Sequence, residues 1–299
     1  MRSGHFHAGM TLPRAAVRLA IPAMLVVAVG CRSEFRRREA GVGRADAPSA
    51  VDAPSAADAS PTVIVPPPPS GWAPGMRFDV PPPVTATDVP ADGPFNMLAN
   101  PGFEEGTEPW WYFPDRPHWG GFVVSDGQAL SGRWAARLDL RVGRAHPPPD
   151  KTHIRGFIQS LRTPAFPARL SGSYFVERWE RGATDTYVQF VIIAVGAAPP
   201  GGAGGSNTQI RYLLAGIDRP PFGIANAKFV YVSRSQPEVG RWIPFERDLR
   251  RDFTDLWGFV PESFESIRVL YEVRYDNLDV ADSPEIDAVV WFDDLYLGN

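Results

Sequence analysis

The sequence predicts an all-β fold in which two sheets pack face to face, and three observations carry that expectation. From about residue 95 onward, segments of alternating apolar and polar residues recur, each bounded by Gly, Pro, Asn or Asp, as strands between turns require. Their β-branched and aromatic content is high, which suits a pleated, half-buried surface. Helical spacing occurs once, at 245–258, where Leu249, Phe253, Leu256 and Trp257 would share one face over a sheet edge.

Strands are expected at 121–125, 134–141, 157–162, 172–179, 187–195, 208–214, 228–233, 266–274 and 288–297. The clearest holds Ile267, Val269, Tyr271, Val273 and Tyr275 on one side, with Arg268, Glu272 and Arg274 on the other. Such a strand should have one core face and one wet face. The region 94–299 is long enough for one domain that buries about 70% of its unfolded-chain surface.

Ahead of this domain the composition changes. The stretch 31–93 is dominated by Ala, Pro, Ser and Asp, with the near-repeat Asp46-Ala-Pro-Ser-Ala50 and Asp52-Ala-Pro-Ser-Ala56. It lacks the apolar content for a core and reads as a disordered tether, extended where prolines run together. Residues 1–30 read as a signal peptide that starts at Met1 or Met10: Arg14 and Arg18 precede a short apolar run, Leu19 to Gly30, too short to span a bilayer. Cys31, the single cysteine, follows at once, so no intramolecular disulfide can form. This leader resembles a bacterial lipobox, with Ala28 where leucine is commonest. The resemblance implies lipidation at Cys31 and a cell-envelope address. By resemblance to lipoprotein sorting signals, Arg32 rather than Asp after the cysteine implies the outer membrane.

Removal of Arg2, Arg14 and Arg18 with the leader leaves 27 basic against 34 acidic side chains, about −7 in net charge, which argues against a nucleic-acid partner. No Gly-x-Ser-x-Gly, His-Glu-x-x-His or phosphate-binding Gly-rich loop occurs. Asp293 and Asp294 point to opposite faces of a strand and cannot serve together as acid and base. His146 and His153 flank Pro147 to Pro149, but no third residue has zinc-ligand spacing.

Three motifs bracket the domain: Asn100-Pro-Gly-Phe-Glu104, Ser131-Gly-Arg-Trp-Ala-Ala-Arg137 and Val290-Trp-Phe-Asp-Asp-Leu-Tyr-Leu297. Together they resemble carbohydrate-binding modules of the galactose-binding-like jelly-roll type, and Arg241-Trp-Ile-Pro-Phe-Glu-Arg-Asp248 resembles the segment in which a tryptophan opens a strand. The resemblance implies a two-sheet jelly-roll β-sandwich whose first and last strands pair. It also implies a structural calcium ion held by Glu104, the backbone around Ser131 and Gly132, and Asp293 or Asp294. Hard oxygen ligands of that kind suit calcium. The stretch 144–154 and the loop near Gly201 are longer than in the usual module.

Sugar binding needs flat rings for C–H faces and planar polar groups for hydroxyls. Trp110, Trp111 and Trp119 are one candidate platform, in a loop that also carries Tyr112. The second is a wet strand face with Glu177 and Trp179 beside Gln189, Arg211, Glu272 and Arg274. The expected activity is therefore non-catalytic binding of a polysaccharide or glycoconjugate. The alternatives are a structural or protein-interaction sandwich and, after it, a polysaccharide lyase or hydrolase.

Overall fold

The computed structural model describes residues 60–67, 74–86, 94–147, 150–182, 184–202, 205–278 and 285–299. The expected signal peptide, Cys31 and the tether up to residue 59 lie outside these residues.

Two sheets form, as expected. One has six strands in the order β1 (Val63–Ile64), β4 (Val123–Ser125), β5 (Ala135–Val142), β13 (Ile286–Gly298), β7 (Arg169–Glu180) and β11 (Trp242–Asp248). The other runs β10 (Ala227–Tyr231), β9 (Thr208–Ala215), β8 (Asp185–Val195), β12 (Ser266–Asp276), β6 (His153–Arg162) and β2 (Val84–Thr85), with β3 (Trp119–Gly120) also on β6. The chain alternates between the sheets, β5 in one, β6 in the other, β7 back in the first, which is jelly-roll wiring. Each crossing lays one apolar face on the shared core. Leu138 and Leu140 of β5, Phe190 and Ile192 of β8, and Phe292 of β13 are fully buried there.

The ends of the domain meet. β13 pairs antiparallel with β5, and Asn96 bridges to Gly298. The Asn96 side chain secures this junction, donating to the Leu295 carbonyl at 2.8 Å and accepting from the Leu297 amide at 3.1 Å.

Three details differ from the expectation. The β12 residues 267, 269, 271, 273 and 275 do face the core, but the opposite face is covered as well. Its apolar members Ile158, Val191 and Leu270 pack under Phe78, Trp111 and Phe113. Second, the segment read as tether up to residue 93 contributes to the fold: β1 pairs with β4, β2 lies parallel to β6, and Phe78 sits 5.8 Å from the Trp111 ring. Two-residue strands carry too little periodicity to read from sequence, and extended Pro-rich backbone suits a sheet edge. Third, the expected helix at 245–258 begins as strand. β11 opens at Trp242, as the resemblance implied, and continues to Asp248. That residue then caps α1 (Leu249–Trp257) by accepting from the Arg251 amide at 2.9 Å.

Candidate functional site

The sheet register brings four expected binding residues together on the outer face of the seven-stranded sheet. Glu272 lies opposite Gln189 and accepts from its amide, while Arg211 stands one pair away opposite Val191. Arg274 donates to Asp276 at 2.7 and 3.1 Å, and the Tyr187 hydroxyl donates to the same carboxylate at 2.6 Å. This group is not the open sugar platform expected of it. Glu272 is 1% and Arg274 6% exposed, and the Phe222 ring lies 5.2 to 5.3 Å from the guanidiniums of Arg211 and Arg274. Charges so covered need internal partners, and the short contacts supply them to Glu272 and Arg274, whereas Nε and Nη1 of Arg211 are buried without a hydrogen-bond partner.

The aromatic loop is corrected in the same sense. Trp110, 3% exposed, is wedged among Phe103, Phe157 and Tyr271 and donates its indole N–H to the Asn100 carbonyl. Trp111, 7% exposed, is pinned by paired backbone hydrogen bonds to Ile158 and covers the apolar patch of the outer face. Half-buried Trp119 packs edge-on against Phe113. Burial of rings this large is the stronger driving force, so the first two are mostly packed inside, with only their edges bordering a cavity shared with Phe78, Pro81 and Pro82.

Glu177 and Trp179 do not share a face. β7 is bulged where Val289 pairs with Arg178 and Val290 with Val176, leaving Glu177 as the extra residue. An extra residue reverses the side-chain parity beyond it. Trp179 accordingly packs towards the main core and donates to Gln236 at 2.8 Å, whereas Glu177 stays outside and accepts from the Trp291 indole N–H at 2.9 Å.

The outer surface around β5 holds a cleft that sequence reasoning missed. One groove, of about 380 Å³, is bordered by Gln128, Arg137, Glu177 and Trp291. A second, of about 650 Å³, is bordered by Tyr112, Arg137, Asp139, Arg141, His153 and Arg155, so Arg137 belongs to both. The alternation of β5 turns Ala136, Leu138 and Leu140 inward and Arg137, Asp139 and Arg141 outward. Asp139 binds Arg137 at 3.0 Å and Arg141 at 2.7 Å; Arg137 also approaches Glu177 at 3.7 Å. Half-buried Phe175 and Trp242 lie beyond Trp291, their rings 5.6 Å apart. The alternating residues of β5 were legible in the sequence. Which outer face stays uncovered was not.

The expected metal ligands do converge. Glu104 Oε1 accepts from the amides of Arg133 and Trp134, both at 2.9 Å, and Gly132 adopts a positive φ of 61° beside that carboxylate, where any Cβ would collide with it. Asp293 Oδ2 accepts from the Leu130 and Ser131 amides at 2.8 and 3.2 Å, and Ser131 Oγ donates to Asp294. Burial pushes the Asp293 carboxyl up to about 6, against the pull of its amide hydrogen bonds and with help from the negative Asp294. None of these three carboxylates forms an ion pair among the described residues; neighbouring Arg133 pairs with Asp126. No three acidic, histidine or cysteine side chains cluster as a ready metal site among the described residues. The donors present are all oxygen, which suits calcium, and backbone carbonyls would have to complete the set.

No family pattern and no curated protein sequence matches this chain. Among solved structures it is similar to a carbohydrate-binding module in complex with beta-1,4-galactotriose, at 16% identity and TM-score 0.36, over 68% of this chain and 97% of the other. It is also similar to the enzymatically active domain of bacteriophage CBA120 tailspike protein 4, at 9% identity and TM-score 0.33. That match spans 68% of this chain but only 21% of the tailspike chain. Likenesses of this size carry no residue-level correspondence.

Proposed function

We propose that this chain is a cell-envelope lipoprotein whose β-sandwich binds a polysaccharide or glycoconjugate without catalysing a reaction, the saccharide lying in the cleft along β5. The observation that carries the reading is the pair of grooves sharing Arg137, which line an open surface with Tyr112, Gln128 and a ladder of arginines and carboxylates, over a buried Trp291. The half-buried Tyr112 ring beside fixed planar polar groups suits a sugar C–H face and hydroxyls respectively. Calorimetric titration against a panel of soluble glycans tests it, with affinity falling about tenfold or more in Arg137→Ala or Tyr112→Ala, the loss of about one charged hydrogen bond or one stacking contact. If the folded chain binds no glycan of the panel, and pulls down a protein partner insensitive to added sugar, the structural or protein-interaction reading replaces this one.

The envelope address rests on the leader and Cys31. Metabolic labelling with a fatty-acid probe should mark the wild-type chain and leave Cys31→Ser unmarked. Calcium, in this proposal, is structural: Glu104, Asp293 and Asp294 would hold it with backbone oxygens of loop 130–134, so that it ties the opening motif to the last strand. Binding to the folded state alone raises stability by mass action. Calcium should therefore raise the thermal midpoint, and that gain should vanish in Glu104→Gln; an identical midpoint in calcium and in chelator rejects the site.

A further inference from the structure

The larger groove has a polarity that neutral sugars do not require. Arg137 and Arg141 share the carboxylate of Asp139 and reach Glu177 and Asp287 besides, so their charges are compensated within the protein. Arg155 is compensated less directly: Asp139 attracts it from beyond contact, but among the described residues its side chain forms no salt bridge or hydrogen bond, and its Nε is buried without a partner. His153 beside it is 8% exposed, and its Nδ1 is likewise buried and unpartnered. The backbone makes room for this arrangement. A Cβ at residue 120 would stand 2.1 Å from Arg155 Nη1, and one at 121 would stand 2.7 Å from the Tyr112 ring, so Gly120 and Gly121 let the chain pass against both side chains.

A guanidinium taken partly out of water and left unpaired is costly, and its planar fork is complementary to a two-oxygen anion. We propose that Arg155 receives an oxyanion carried on the sugar ring, so that the glycan bound along β5 is an acidic polysaccharide. This deepens the reading of the cleft as a saccharide site and rests on it. His153 and Tyr112 border the same groove beside Arg155, and Tyr112 supplies a ring. A net negative chain repels polyanions in general, so selection for an acidic ligand has to come from a local site of this kind.

The test compares the full chain titrated with oligogalacturonate, with its methyl ester, with a sulfated galacto-oligosaccharide and with the neutral galacto-oligosaccharide. Tighter binding of an acidic ligand than of the neutral one, by about tenfold or more, is expected for one charge-assisted pair. That preference should disappear in Arg155→Met, which keeps the apolar stem, and persist in weakened form in Arg155→Lys. The uronate and sulfate arms identify which oxyanion is taken, and the methyl ester reads the same charge without altering the protein. Equal binding of acidic and neutral oligosaccharides overturns the proposal while leaving saccharide binding in place. Binding of none of the four by the folded chain overturns both.

Discussion

At the scale of single residues, burial decided what each aromatic or charged side chain is for. Trp110 and Trp111 look like a stacking platform in sequence, yet both are sunk in cores. Trp110→Ala should cost about 3–5 kcal/mol of stability, the range for removing a large buried ring, measurable as a lower urea midpoint. His153 gives a pH-dependent prediction. Burial, reinforced by Arg155 and His118, pulls its pKa down from 6.5 to about 4. The folded state therefore favours the neutral ring, and the unfolded chain binds the extra proton first. The contribution is fully present above 6.5 and is lost as pH falls towards about 4, at about 1.4 kcal/mol per unit of pH within that window. The difference in unfolding free energy between wild type and His153→Gln, followed from neutral pH to pH 4, should narrow on acidification if this holds, and a constant difference would count against it.

At the scale of elements, most strands were legible and their interruptions were not. The alternation in β5, β8 and β12 names the core face correctly because a strand's side chains change sides at every residue. The bulge at Glu177 breaks that rule inside β7, and nothing in its sequence marks the extra residue. One bulge thus separated Glu177 from Trp179 and moved the accessible charge towards β5. The junction of β11 with α1 was half legible: the helical spacing of Leu249 and Phe253 is real, but strand pairing with β7 holds the preceding residues extended as far as Asp248. Asp248→Ala should destabilise the fold by about 1 kcal/mol, the usual cost of an N-cap, while leaving glycan titration unchanged because the cap is remote from β5. Chemical denaturation of the two proteins side by side checks this.

At the scale of the whole molecule, the sandwich reaches ahead of residue 94. Phe78 is buried against Trp111 and Phe113, so Phe78→Ala should lower stability by about 3 kcal/mol or more, whereas a change within a free tether would leave the denaturation midpoint where it was. The sequence by itself determined the two-sheet class and the core faces of the long strands, because alternation and turn residues are local signals; the meeting of the first and last strands was implied by the resemblance of its bracketing motifs to galactose-binding-like modules. That resemblance also named the acidic residues that gather on loop 130–134. Only the tertiary structure decided which outer face is roofed and which is open. Cover comes from residues distant in sequence, Phe78 and Phe222 over the seven-stranded sheet, and that closed the expected site while leaving Arg137 and Arg155 on a cleft. Periodicity records that a residue leaves the core, and it holds no information about what arrives from elsewhere in the chain to cover it.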